Sequence, residues 1–107
     1  MPAVARGDGV DSVLSQTGSG KKCRFPSNTS TDECSGNVFV NSIGVVRQGD
    51  RVRKHNKTNC VPESPGLSSF SSTVFINGRG CGRLGDNYQG DGFNRITSGS
   101  SNVFAGG

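Results

Sequence analysis

The sequence predicts a small all-β domain assembled from short repeated hairpins, and three observations carry that expectation. Only 30% of the 107 residues are hydrophobic, while Gly fills 17 positions, Ser 15 and Asn 9. Val (11) and Phe (6) outnumber Leu (3) and Ile (3), and β-branched and aromatic side chains suit extended backbone. No window spaces its apolar residues at the 3.6-residue period of an amphipathic helix, so very little helix is expected. Finally, the chain repeats itself. Gly36-Asn37-Val38-Phe39-Val40-Asn41 returns as Ser72-Thr73-Val74-Phe75-Ile76-Asn77, and the same 36-residue offset carries Arg47-Gln48-Gly49-Asp50 onto Arg83-Leu84-Gly85-Asp86. Two features at one offset mark a repeat architecture.

Taken in order, Ala3-Val4-Ala5-Arg6-Gly7-Asp8 reads as the second half of the repeated unit. Residues 15–35 follow as a polar loop containing Cys23 and Cys34. Val38 to Val40 predict a strand, with a hairpin turn at Asn41-Ser42, and Arg47 to Asp50 close the unit on a second turn. A loop over 54–71 carries His55, Cys60, Pro62 and Pro65. Val74 to Ile76 again predict a strand, and Asn77-Gly78 is a strong two-residue hairpin signal. Residues 87–100 form a Gly-rich loop, and Ser101 to Gly107 match the first half of a unit, so the two chain ends together supply roughly a third copy. The Arg/Asp pairs at 6/8, 47/50 and 83/86 are expected to tie adjacent units by ion pairs and hydrogen bonds. Three such units would pack about a common axis with their loops converging at one end.

Composition also excludes. Val, Leu, Ile and Phe sum to 23 residues, too few for a large apolar core. No aliphatic or aromatic run is longer than Val38-Phe39-Val40, against the roughly 20 residues of a membrane-spanning helix. No charged stretch followed by an apolar stretch opens the chain, so no signal peptide is expected, and synthesis in a reducing cytoplasm follows. The net charge is +4. The two basic clusters, Lys21-Lys22-Cys23-Arg24 and Arg51-Val52-Arg53-Lys54, lack interleaved aromatics and read as solvated loops, so no nucleic-acid partner is expected. No activated nucleophile or acid–base pair is visible, and an enzyme is not expected. Cys23, Cys34, Cys60, Cys81 and His55 could form two disulfides or ligate a metal. A reducing compartment favours thiolates on a soft or borderline ion.

The repeat resembles that of the PAAR-repeat proteins (proline-alanine-alanine-arginine). Val74-Phe75-Ile76-Asn77-Gly78-Arg79-Gly80-Cys81-Gly82-Arg83-Leu84-Gly85-Asp86 follows the family unit closely, and Val38 to Asp50 follows it with Ser42-Ile43-Gly44-Val45-Val46 in the middle. The Pro-Ala-Ala triplet itself is replaced by Ala3-Val4-Ala5, Gly44-Val45-Val46 and Gly80-Cys81-Gly82. The resemblance implies one domain over residues 1–107, a small conical fold of short hairpin units in pseudo-threefold arrangement with a metal-stabilised apex. It implies a tip that caps the trimeric β-helical spike of a contractile injection machine, a phage tail or a type VI secretion system, and sharpens it for piercing an envelope. One copy per spike trimer is expected, with transient contact with the target membrane and no homo-oligomer. Because the chain ends on its last unit, a virion tail tip is expected over a toxin carrier.

In the family the metal ligands come from the loops after each Gly-Asp. Carried over, that position gives Cys23, Cys34, His55 and Cys60, a set suited to structural zinc or, alternatively, iron. The third loop offers only Tyr88 and Asp91, and Cys81, at an Ala position of the pattern, reads as a small buried side chain. Two other readings stand beside this one: a zinc-stabilised nucleic-acid module, and a disulfide-stapled extracellular binding domain without free thiols.

Overall fold

In the computed structural model, which describes residues 1–107, ten short strands and two 3-10 turns (Lys21–Cys23 and Thr58–Cys60) make up the regular structure. The strands are β1 (Ser12–Ser19), β2 (Phe25–Ser30), β3 (Phe39–Val40), β4 (Ile43–Gly44), β5 (His55–Asn56), β6 (Pro62–Glu63), β7 (Phe75–Ile76), β8 (Arg79–Gly80), β9 (Asn87–Tyr88) and β10 (Asn94–Ile96). They form one four-stranded antiparallel sheet, ordered β2-β1-β10-β9, and the separate hairpins β3–β4, β5–β6 and β7–β8. There is no α-helix.

The hairpin turns sit where the sequence signals them. Asn77-Gly78 joins β7 to β8 with φ of 54° and 77°, and Asn41-Ser42 joins β3 to β4 with φ of 53° and 67°. Two left-handed residues in succession give the backbone twist that a two-residue hairpin needs. The chain then runs from each hairpin into a closed ring of backbone hydrogen bonds with one residue from each unit. Val46 donates to the Ala5 carbonyl (3.1 Å), Ala5 to Gly82 (3.0 Å) and Gly82 to Val46 (2.8 Å). Glycine is required in this ring, since a Cβ on Gly82 would lie 2.9 Å from Leu67 Cδ2 and 3.0 Å from the Val46 carbonyl oxygen.

A second set of three bonds repeats beyond the ring, from Gly9 N to Thr31 O, Gly49 N to Leu67 O and Gly85 N to Ile96 O. The next pairings are Thr31 with Val52, Leu67 with Tyr88 and Val13 with Ile96, all six residues buried. The core is accordingly narrow and lies along the ring. Ala5, Val13, Val46, Val52, Leu67, Tyr88 and Ile96 form one cluster, and Val4, Val45, Cys81 and Ala105 form another against the hairpins.

The Arg/Asp pairs at 47/50 and 83/86 form, but each lies within one unit and not between units as expected, and the third takes a different partner. Arg47 donates from N and Nε to Asp50 Oδ2 (2.8 and 2.9 Å) and from Nη2 to Oδ1 (3.0 Å). Arg83 repeats this on Asp86 at 2.9, 3.0 and 3.1 Å. In the first unit the acceptor is Asp11, at 2.7, 3.1 and 2.9 Å, and not Asp8. Asp8 is exposed and left-handed (φ 53°) at the start of a detour through Gly9 and Val10 that the other units lack. The tie between units is made by the remaining guanidinium nitrogens: Arg6 Nη1 donates to Asn41 Oδ1 (3.3 Å), Arg47 Nη1 to Asn77 Oδ1 (3.2 Å) and Arg83 Nη1 to the Gly106 carbonyl (3.2 Å).

The segments read as polar loops contain strands. β1 buries Val13, Ser15 and Thr17 on one side, so alternation is present, although two of its three inward residues are polar. Eight residues of strand reach roughly 26 Å, which carries the Lys21–Cys23 turn far from the ring in a molecule measuring 39 × 23 × 23 Å. The domain therefore has two distinct ends, one of hairpins and one of loop turns.

Candidate functional site

At the loop end the three loops do meet. Cys23 and Cys60 are joined as a disulfide, and Asp91 of the third loop accepts from both Thr58 N (3.1 Å) and Thr58 Oγ1 (2.5 Å). Those bonds, the hydroxyl's first, hold the Asp91 carboxyl below its ordinary pKa. The two 3-10 turns share one geometry. Each ends in two left-handed residues, Lys22 and Cys23 at φ of 56° and 54°, Asn59 and Cys60 at 67° and 60°. Left-handed backbone costs an L-residue roughly 1–2 kcal/mol, and here a covalent cross-link between the two turns fastens it.

His55 stands on β5 opposite Glu63 on β6. Its Nδ1–H points at the Arg53 carbonyl (3.2 Å), while Nε2 is buried without a hydrogen-bond partner, 3.5 Å from Glu63 Oε2. Glu63 Oε2 also accepts from Asp91 N (3.3 Å). Thr58, Glu63 and Asp91 thus link the second and third loops through polar contacts. Thr58 and Glu63 carry no motif that would single them out in a polar sequence.

Cys34 is elsewhere. β2 runs antiparallel to β1, so the chain that leaves the Cys23 turn is carried back about 20 Å before Cys34. There the thiol packs against Gly7 and Gly44, where any Cβ would collide with it, and lines a cleft of about 570 Å³ with Asp8, Asp32, Glu33, Arg47 and Arg79. Burial, then the charges of Asp8 and Asp50, push its pKa up. Cys81 is buried against Val4, Val45 and Ala105, and burial pushes its thiol up to about 11.

The expected Cys23, Cys34, His55, Cys60 centre for zinc or iron is therefore not assembled. Two of its sulfurs are bonded to each other, the third lies back toward the hairpins, and no three His, Cys, Asp or Glu side chains come together in an arrangement that could hold an ion. Metal ligation needs free thiolates, and the residues as placed do not fit a four-ligand ion. One bond forms, leaving Cys34 and Cys81 free, so a framework of two disulfides is not assembled either.

The hairpin end is apolar. Phe39 and Phe75 are each 58% exposed and Phe104 is 50% exposed, at matching positions of the three units. Val38, Val40, Val74 and Ile76 lie half-buried beside them against the second core cluster. The Ser-turns before these strands also repeat: Ser35 Oγ accepts from Val38 N (2.9 Å), Ser71 Oγ from Val74 N (2.9 Å) and Ser100 Oγ from Val103 N (3.1 Å).

No family model matches the chain, and no curated protein matches it.

Proposed function

We propose that the protein is a PAAR-like cone in pseudo-threefold arrangement whose hairpin end caps a trimeric β-helical spike of a contractile injection machine, at the tip of a phage tail. The observation that carries this reading is the threefold set of exposed phenylalanines, Phe39 and Phe75 on hairpins and Phe104 on the C-terminal segment paired with Ala3, in units tied by one ring of bonds. Three like apolar positions on one chain suit a partner that presents three like chains. Two-stranded hairpins with open edges are a liability in isolation, and a continuing β-helix would cover them. The reading needs no catalytic group, and the tip in this version is closed by the Cys23–Cys60 bond in place of a metal.

The test is co-elution with the trimeric spike protein of the same machine, with one tip per three spike chains expected. Replacing Phe39 and Phe75 together by Ser is expected to weaken the complex at least tenfold, about 1.4 kcal/mol, with the melting temperature little changed because both rings are already solvated. Separate elution of tip and spike would end this assignment. The Cys23–Cys60 bond favours a second reading, a disulfide-stapled extracellular binding module, against which the free thiols of Cys34 and Cys81 count and for which no affinity for a trimeric β-helix is expected.

A further inference from the structure

The loop end carries a feature that spike capping does not use. The turns fastened by the disulfide bring Lys21, Lys22 and Arg24 beside Lys57, with no acidic residue in either turn. Two acids stand nearby: Asp91, whose carboxylate accepts from Thr58 and feels the Lys57 charge, and Glu63, which faces His55 and accepts from the Asp91 N–H, so the four cations keep a positive excess. Among these charges Phe25 is 60% exposed and Val61 47% exposed. The Phe25 ring lies against the bare backbone of Gly20, where a Cβ would strike it, and with Lys21, Lys22 and Arg24 it lines a shallow groove of about 320 Å³.

We propose that this apex is a docking surface for the anionic lipid bilayer, with Lys21, Lys22, Arg24 and Lys57 facing headgroup phosphates and Phe25 entering the interface. Charge complementarity and the accompanying apolar side chains select this occupant. Cations on flexible stems are drawn to an anionic leaflet, each contributing a comparable increment near the surface. An exposed aromatic ring among them gains by entering the headgroup boundary. The charges sit at a point and not along a track, and a single ring offers no stacking platform, which disfavours a nucleic-acid strand. The proposal rests on the two-ended build of the domain and stands whether or not a spike occupies the other end.

Sedimentation of the oxidised full chain with vesicles tests it. Binding is expected to vesicles of phosphatidylcholine with about 30% phosphatidylglycerol and not to phosphatidylcholine alone, and to be largely lost in about 0.5 M salt. Lys21→Gln with Lys22→Gln is expected to weaken binding about thirtyfold, and Phe25→Ser to weaken it further. All of these side chains are exposed, so melting temperatures should not move. Equal binding to neutral vesicles, unaltered binding by the double variant, or tighter binding to a DNA duplex than to anionic vesicles would overturn the proposal. The same double variant should still cap the spike, and the Phe39/Phe75 variant should still bind vesicles, so each idea fails separately.

Discussion

Reducing the Cys23–Cys60 bond is expected to lower stability by about 4 kcal/mol and the melting temperature by roughly 15 °C. The bond closes a loop over a sequence separation of 37 residues, and the cost of closing such a loop in the unfolded chain sets that magnitude. A domain of this size holds about 5–15 kcal/mol in total, so the loss is a large share. Calorimetry with and without reductant measures it, and Cys23→Ala with Cys60→Ala should reproduce the reduced curve. A chelator should leave the oxidised curve unchanged, and the denatured, unreduced chain should titrate two thiols, Cys34 and Cys81. A chain that unfolds on chelation and ignores reductant would instead mean that these sulfurs hold a metal.

Asp50→Ala is the second large effect, with an expected loss of about 3–5 kcal/mol. Asp50 is 2% exposed and accepts Arg47 through three donors and Arg79 Nη1 at 3.2 Å. Removing the carboxylate leaves the Arg47 guanidinium, itself only 18% exposed, facing a gap without its counter-charge. It also frees the Arg47 N–H and unties Arg79 of the neighbouring unit. Asp86→Ala should cost less, because Arg83 is the one cation paired with Asp86 and its further contact is the neutral Ser69 hydroxyl at 3.3 Å. Denaturant unfolding followed by circular dichroism compares the two. Equal losses would mean that the Arg79 contact on Asp50 contributes no more than the Ser69 hydroxyl on Asp86.

The hairpins were legible because their signals are local. Asn77-Gly78 dictates its turn through φ alone, and the 36-residue offset placed Asn41-Ser42 on the same geometry. The sheet β2-β1-β10-β9 was hidden because its buried positions include Ser15, Thr17 and Asn94, polar residues that erase the contrast on which alternation is read. The Arg6 partner was misplaced for a related reason. Arg6-Gly7-Asp8 matches the repeat in letters, yet the detour through Gly9 and Val10 gives Asp11 the role of Asp50 and Asp86. Convergence of the loops was foreseeable from three units about one axis. The choice between metal and disulfide was not, because it depends on where β2 delivers Cys34, and spacing along the chain does not encode direction.

The ring that joins Ala5, Val46 and Gly82 has a kinetic consequence. Its bonds link positions 41, 36 and 77 residues apart, so none can form from a local segment, and each requires a large loop to close first. A chain of about this size with such distant pairings belongs among slow folders, in the range of milliseconds to seconds. The C-terminal segment closes the same set, since Val4 N donates to the Val103 carbonyl, Ala105 N to Pro2 and Ser72 N to Gly107. Assembly should therefore be all-or-none, waiting until both termini are free to meet.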